Sequence, residues 1–342
     1  MGRFARRNEA SSQLIAWGGV SRTADLGGPV HYVDFGGPAA APRVVLVHGL
    51  GGSHLNWCLL APRLVAKARL LAVDLVGFGL THPEGRAATV QSAAVMLDRF
   101  VREVAGAPAI LVGNSMGGMA SIMEAVANPD AVAGLVLIDP ALPLVRGVRP
   151  DRLVATMFLL YAVPGIGERY LARRRAAVAP GELVRQVLDV CCVDPARVPQ
   201  ELVAASVALA EERVAVGGLD AAFLSAARSL LRVSARRGRY WRAMRAVGSP
   251  VLLLHGEKDR LVSVQSAYEA AARNPDWRFE VLSDVGHVPQ LEVPDAVAGL
   301  ILDWLGTEGA TAARRAAKPA AGSRTGTGPT GAPQGPGGTA AR

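Results

Sequence analysis

Cysteine is scarce in this chain: only Cys58, Cys191 and Cys192 occur among its 342 residues. Two of the three are adjacent and the total is odd, so the sequence excludes a disulfide framework. No spacing of cysteine or histidine has the form of a zinc site. The cysteines are therefore predicted to be small buried hydrophobic residues in a reducing compartment, and no metal is expected.

Long apolar runs are also lacking. The first thirty residues contain no continuous apolar stretch of about 7–15 residues, which a secretory signal would need. The most apolar segment, 153–167, contains Thr156 and Pro164, and it falls short of the roughly 18 residues that indicate a spanning helix. The sequence therefore predicts a soluble, cytoplasmic protein.

Charged residues make up only 19% of the chain, and they are unevenly distributed. Residues 142–248 hold 17 arginines, no lysine and 9 acidic residues, a net charge of +8. These arginines are predicted to lie on solvated helix faces; weak association with an anionic membrane surface, or binding of an acidic substrate, is the alternative. Nucleic acid is not expected as a partner, because the basic residues are dispersed and no recognised binding motif accompanies them. The oligomeric state stays open.

Short apolar runs bounded by Gly, Pro or Asp recur along the chain and predict strands that are buried on both faces. They lie at 43–49, 70–77, 109–113, 134–139, 250–256 and 278–283. Helical patterns lie between them, at roughly 55–68, 89–105, 116–127, 264–273 and 294–305. This alternation predicts an α/β fold with a mostly parallel central sheet flanked by helices.

The alternation is interrupted once, between residues 142 and 248. This segment shows helical patterns at 151–163, 181–193, 201–216 and 221–237 and no convincing strand. It is predicted to be a helical cap inserted between two core segments, 28–141 and 249–306. Residues 307–342 carry no large apolar side chain and are predicted to be a disordered tail. Residues 1–27 are assigned to an N-terminal extension.

Ser115 lies in the stretch GNSMGG, after a predicted strand and before a helical pattern. This strand–turn–helix context is the one that a nucleophile elbow requires. Gly113 and Gly117 flank a turn in which a larger side chain would crowd the backbone. The N–H groups at the start of the following helix point toward the turn, where negative charge develops during acyl transfer. Ser115 is therefore the candidate nucleophile.

A serine hydroxyl is a weak nucleophile and needs a general base. His287 lies between the last predicted strand and the final helix, so its loop can carry the imidazole over Ser115. The base in turn needs a carboxylate that fixes its tautomer. Asp259, just after the strand at 250–256, is favoured for this role, and Asp139, at the end of the preceding strand, is the alternative.

Four motifs in order resemble the α/β-hydrolase superfamily, over about residues 28–305. They are HGLGGSHLNW (48–57), DLVGFGLTHP (74–83), GNSMGG (113–118) and GEKDRLV with DVGHVPQLEVP. The chain order Ser115, Asp259, His287 agrees with this resemblance. The resemblance implies an α/β-hydrolase fold with an inserted helical cap, oxyanion-hole amides at Leu50 and Met116, and no cofactor.

The resemblance also implies a serine hydrolase that cleaves a carboxylic ester of a small molecule through an acyl-enzyme. One alternative is a hydrolase of carbon–carbon bonds in ring-cleavage products. That resemblance is weaker, since Val288 follows the histidine at a position where those enzymes commonly have an aromatic residue. The other alternative is a ligand-binding or signalling protein that retains the fold.

The predicted cap is rich in apolar side chains. They include Leu153, Met157, Phe158, Leu159, Leu160, Val187 and Leu188. Either they pack the cap against the core, or some of them line an apolar acyl pocket above Ser115. A pocket of this kind would favour acyl chains of roughly four to ten carbons over acetyl, because each buried methylene contributes about 0.8 kcal/mol.

Overall fold

Eight strands form one sheet in the computed structural model, which describes residues 18–317. The strands are β1 (Val20–Asp25), β2 (Pro29–Gly36), β3 (Arg43–Val47), β4 (Arg69–Val73), β5 (Ala109–Asn114), β6 (Val132–Ile138), β7 (Val251–Gly256) and β8 (Arg278–Leu282). Their order across the sheet is β1-β2-β4-β3-β5-β6-β7-β8. Strands β1, β2 and β4 pair antiparallel, and every pairing from β4 to β8 is parallel. The predicted mostly parallel sheet is confirmed.

Thirteen α-helices accompany the sheet in the described chain. They are α1 (Ala61–Leu64), α2 (Val90–Phe100), α3 (Met116–Ala127), α4 (Arg152–Ala162), α5 (Ile166–Ala177), α6 (Pro180–Cys191), α7 (Gln200–Arg213), α8 (Leu219–Ala235), α9 (Arg237–Arg245), α10 (Val264–Arg273), α11 (Pro289–Glu292), α12 (Pro294–Gly306) and α13 (Ala310–Ala317). None of them combines the length and the apolar character that a membrane crossing needs.

The core lies on both faces of the sheet. On one face, side chains of β5 and β6 pack against α2, α3, α9 and α10, with Phe100 and Met119 fully buried. On the other face they pack against α1, α12 and α13, with Leu64 and Trp304 at the centre. Burial on both faces explains why these strands are continuous apolar runs rather than alternating ones.

The inserted segment 142–248 is helical throughout its regular structure: helices α4 to α9 all lie between β6 and β7, and the segment has no strand. Four of these helices were predicted and two were not. The unpredicted α5 and α9 each contain four arginines, in helices of twelve and nine residues.

Two predicted boundaries are wrong. Strand β1 lies inside the segment assigned to the N-terminal extension, and it pairs along its whole length with β2. Its sequence, VSRTAD, is largely exposed at the edge of the sheet, so it lacks the apolar run of a central strand. Residues 1–17 of the predicted extension lie outside the described residues.

The segment after residue 307 is not all disordered as predicted, because α13 docks against the sheet. Ala312 and Ala316 are fully buried, and the Arg43 guanidinium donates a hydrogen bond to the Ala316 carbonyl at 2.8 Å. A Cβ atom at Gly134 would lie 2.7 Å from the Ala312 Cβ, so this glycine of β6 makes room for the helix. The prediction of disorder assumed that a helix needs large apolar side chains to dock, but here alanine side chains pack against the sheet. Residues 318–342 lie outside the described residues.

Truncation after Thr307 is therefore expected to lower thermal stability. It would uncover Trp304 and the sheet face beneath α13, and each 100 Å² of apolar surface exposed costs about 2.5 kcal/mol. We expect a fall in Tm of several degrees, since about 1 kcal/mol corresponds to roughly 2–4 °C in a chain of this size class. Differential scanning calorimetry should compare this variant with a chain that ends at Ala317 and keeps the helix. Equal melting temperatures for the two chains would show that α13 adds nothing to stability.

Candidate active site

The turn between β5 and α3 holds Ser115 in a strained backbone conformation, with φ 52° and ψ −118°. A Cβ atom at Gly117 would lie 2.2 Å from the Val47 carbonyl oxygen, so only glycine fits there. Met116 is the first residue of α3, and its N–H therefore has no carbonyl partner within the helix. The geometry is that of the predicted elbow, with a free amide and a helix N-terminus directly beside the serine.

Two hydrogen bonds fasten the loop that carries His287, one to the elbow through the Asn114 side chain and one to the inserted helical segment. The Asn114 side-chain amide donates to the carbonyls of Ile138, at 3.0 Å, and of His287, at 3.1 Å. The His287 N–H donates to the carbonyl of Cys191, the last residue of α6, at 2.6 Å. The histidine is thus held from one side by the residue before Ser115 and from the other by the inserted helical segment.

Asp259 and His287 form a buried hydrogen-bonded pair. The Asp259 Oδ2 atom lies 2.7 Å from His287 Nδ1. The other carboxylate oxygen accepts the N–H groups of Leu261, at 2.7 Å, and Val262, at 3.0 Å. Burial raises the pKa of Asp259, but the charge and hydrogen bond of His287 outweigh it and hold the pKa below its ordinary value. The Asp259 carboxylate is thus fixed by the backbone on one side and bonded to the imidazole of His287 on the other.

Asp139 lies beside this pair, but its carboxylate is bonded to other groups. Its Oδ1 atom accepts the Gly256 N–H at 2.8 Å, and its Oδ1 is 3.6 Å from His255 Nε2. Burial raises the pKa of Asp139 well above its ordinary value, and the negative charge of Asp259 adds to the rise. Asp139 is therefore the weaker acid of the two, which favours Asp259 as the partner of the histidine.

The loop after β3 lies directly against the elbow. A Cβ atom at Gly49 would lie 2.9 Å from the Ser115 Cβ. The Gly52 N–H donates to the Gly49 carbonyl at 3.1 Å, which closes a turn with Leu50 and Gly51 at its centre. In a turn of this kind the N–H of the second residue takes no part in the closing bond. The closing hydrogen bond of the turn therefore does not use the N–H of Leu50, which is predicted as an oxyanion donor and lies on the loop beside Ser115.

Within the described residues 18–317, two groups of side chains have the spacing to hold a metal ion: His31, His54 and Asp74, and Asp139, His255 and Asp259. In the first group both Nδ1 atoms are already bonded to Asp74 Oδ2, at 2.7 and 2.9 Å, and the second contains the orienting carboxylate of His287. His48 is likewise structural: it accepts the Leu75 N–H at 3.0 Å, and burial lowers its pKa to about 4.

Glu292 is a buried side chain at the site that the sequence analysis missed. Its carboxylate accepts the N–H of Gly286, the residue before His287, at 2.9 Å and the N–H of Val193 at 3.0 Å. Arg197 lies 3.6 Å from the same carboxylate. One acid therefore ties the histidine loop to the chain that follows α6. Its place in DVGHVPQLEVP was visible in the sequence, but its partners are backbone amides that no pattern reveals.

Apolar side chains of α4 and α8 surround the loop that carries Leu50. Met157, Phe158 and Phe223 pack with Leu50 around the buried Tyr161. Three other apolar cap residues, Leu153, Leu159 and Val187, are between 51% and 66% exposed. The apolar surface next to Leu50 therefore contains fewer of the predicted cap residues, and a larger share of it is aromatic.

Two known proteins align with most of this chain. The chain is 30% identical over 269 residues to a pimeloyl-(acyl-carrier protein) methyl ester esterase of Aromatoleum aromaticum, which covers 77% of this chain and 97% of that protein. It is 28% identical over 294 residues to a 2-hydroxymuconate semialdehyde hydrolase of a Pseudomonas species, covering 79% and 88% of the two chains.

Among solved structures, a thermophilic esterase of Thermogutta terrifontis superposes with a TM-score of 0.62 at 24% identity, over 84% of this chain and 98% of that one. At this identity the likeness shows the fold alone. The alpha/beta hydrolase family matches residues 44–300, three quarters of the chain, including the elbow, the acid and the histidine. The chain therefore belongs to the alpha/beta hydrolase family.

Proposed function

We propose that this hydrolase is a serine esterase, which cleaves a carboxylic ester through an acyl-enzyme intermediate. The observation that carries the proposal is the Asp259–His287 hydrogen bond of 2.7 Å in a loop bonded to the residue before Ser115. A buried acid, an oriented imidazole and a serine on a strained turn are the groups that acyl transfer needs. The relative from Aromatoleum is itself named as an ester hydrolase.

Each group has a defined task in the proposed reaction. The Ser115 hydroxyl attacks the ester carbonyl while His287 takes its proton at Nε2, because Nδ1 is occupied by Asp259. The N–H groups of Leu50 and Met116, with the N-terminus of α3, stabilise the oxyanion. His287 then returns the proton to the leaving alcohol. A water molecule, activated by the same imidazole, releases the acid from Ser115.

The preferred length of the acyl chain depends on the apolar side chains beside the site. The cluster of Met157, Phe158 and Phe223 gives an apolar wall at the loop of Leu50. If the acyl chain lies along this wall, burial of each methylene contributes about 0.8 kcal/mol, and kcat/KM rises several-fold for every two carbons until the wall is covered.

A panel of p-nitrophenyl esters from acetate to laurate tests both the activity and the chain preference. We expect turnover at rates typical of enzymes, with a maximum between roughly four and ten acyl carbons. Rates that are highest for acetate and fall steadily would contradict the apolar wall. Absence of turnover across the panel would favour a ligand-binding role for the fold.

Hydrolysis of a carbon–carbon bond is the second candidate, favoured by the 28% identity to 2-hydroxymuconate semialdehyde hydrolase. The same serine and histidine could serve such a substrate, but Val288 follows the histidine in this chain. Decay of the yellow semialdehyde chromophore, measured beside ester turnover with the same preparation, separates the two activities. A kcat/KM for the semialdehyde above that of every ester would replace the proposal.

A further inference from the structure

A surface cavity of about 380 Å³ is lined almost entirely by arginine. Its walls are Arg146, Arg237, Gly238, Trp241, Arg242, Arg245 and Arg273. We call it the arginine cavity. It lies between α9, the end of α10 and the loop after β6, and it shares no residue with the candidate active site. Its volume is at the lower end of the roughly 300–1,000 Å³ typical of small-molecule sites.

The positive charge around the arginine cavity is not neutralised by the protein. Within residues 18–317, Arg273 is the one lining arginine with an ion pair, to Glu269. The other four, Arg146 on the loop and three on α9, have no carboxylate partner in that part of the chain. Four like charges around one small space repel one another, and an anion placed among them would remove that repulsion.

The arginines of the cavity are largely exposed, but they surround a gap that one helix face and one buried side chain define. Positions 237, 238, 241, 242 and 245 share one face of α9, as the 3.6-residue period requires. Gly238 leaves the middle of this face without a side chain. Trp241 is 5% exposed and forms a fixed wall, and the Arg273 guanidinium lies 5.2 Å from the centre of its ring.

We propose that the arginine cavity binds a compact, multiply charged phosphate group, as a function separate from ester hydrolysis. The planar guanidinium donates two parallel hydrogen bonds to phosphate oxygens, so several arginines can share one polyphosphate. A single carboxylate offers two oxygens and one charge, which is too little for four unpaired arginines. The ring of Trp241 is covered by Arg273, so it does not offer a face on which a nucleobase could stack.

Isothermal titration of the whole protein with inorganic pyrophosphate tests this site. The cavity variant carries Arg242→Gln and Arg245→Gln; the matched control carries Arg236→Gln and Arg239→Gln, which remove the same charge from exposed positions of the same region outside the cavity. We expect the cavity variant to bind at least about tenfold more weakly than wild type, because it lacks two guanidinium groups that would donate charge-assisted hydrogen bonds to the phosphate. The control should bind within about twofold of wild type, and added salt should weaken binding in both.

A second arm identifies the source of the phosphate. Vesicles of phosphatidylcholine with a minor fraction of phosphatidylinositol bisphosphate are sedimented with wild type and with both double variants. Loss of sedimentation in the cavity variant alone assigns the site to a lipid headgroup. Pyrophosphate binding without sedimentation assigns it to a soluble phosphate compound. No heat with pyrophosphate, or equal losses in the cavity variant and the control, would overturn the proposal. Ester turnover should be the same in all three proteins.

Discussion

Replacing Ser115 by alanine is expected to abolish ester hydrolysis while the fold is retained. The change removes one hydroxyl and keeps the Cβ atom, so the packing against Gly49 and the strained turn are unaltered. Without the hydroxyl no acyl-enzyme can form, and His287 has no group to deprotonate. Loss of the nucleophile costs on the order of 10⁴–10⁶-fold in kcat.

A serine on the same helix provides the matched control. Ser121 is buried in α3, and its hydroxyl donates to the Gly117 carbonyl at 2.8 Å. Ser121→Ala should cost about 1 kcal/mol of stability and leave kcat within a few-fold of wild type. The measurements are p-nitrophenyl butyrate turnover, circular dichroism and covalent labelling with a fluorophosphonate. Turnover by Ser115→Ala within tenfold of wild type, with an unchanged spectrum, would remove Ser115 from the mechanism.

The central strands were predictable from sequence because burial on both faces leaves continuous apolar runs. β1 and α13 were not predicted, and the reason differs between them. The edge strand VSRTAD carries polar residues on an exposed ribbon, and its order comes from pairing with β2 rather than from burial. Helix α13 is buried through alanine, and its fit depends on Gly134, which lies far away in the chain. Shape complementarity between distant segments leaves no local signal.

The same distinction separates the predicted site residues from those that were missed. Ser115, Asp259 and His287 follow strands in a fixed order, and their proposed chemistry needs particular side chains, so residue type and spacing were enough to predict them. Cys191 takes part through its backbone carbonyl, which any residue could supply. Glu292 acts through N–H groups from two distant segments. These contacts arise only when the inserted helices pack against the histidine loop.

Replacing Asp259 by asparagine is expected to lower kcat by about 10⁴-fold, because it reverses the tautomer of His287. In wild type one carboxylate oxygen accepts two backbone N–H groups and the other accepts His287 Nδ1–H. The asparagine oxygen must keep the two N–H donors, since its NH₂ group would meet them donor to donor. The NH₂ group is then turned toward Nδ1, which must accept. The proton moves to Nε2, and the imidazole can no longer take the proton of Ser115.

Asp139→Asn is the matched control for this change, and it should leave kcat within about tenfold of wild type. Burial and the charge of Asp259 raise the pKa of Asp139 well above its ordinary value, so a neutral amide perturbs this position less than it perturbs Asp259, whose pKa is lowered. An amide of the same shape can still accept the Gly256 N–H through its oxygen. The two variants thus make the same chemical substitution in neighbouring buried acids, and they differ in which acid holds the histidine. Steady-state turnover of p-nitrophenyl butyrate at neutral pH measures both variants. A larger loss of kcat in Asp139→Asn than in Asp259→Asn would assign the orienting acid to the end of β6 instead of the end of β7. Only the carboxylate that fixes the Nδ1–H tautomer of the histidine can have so large an effect.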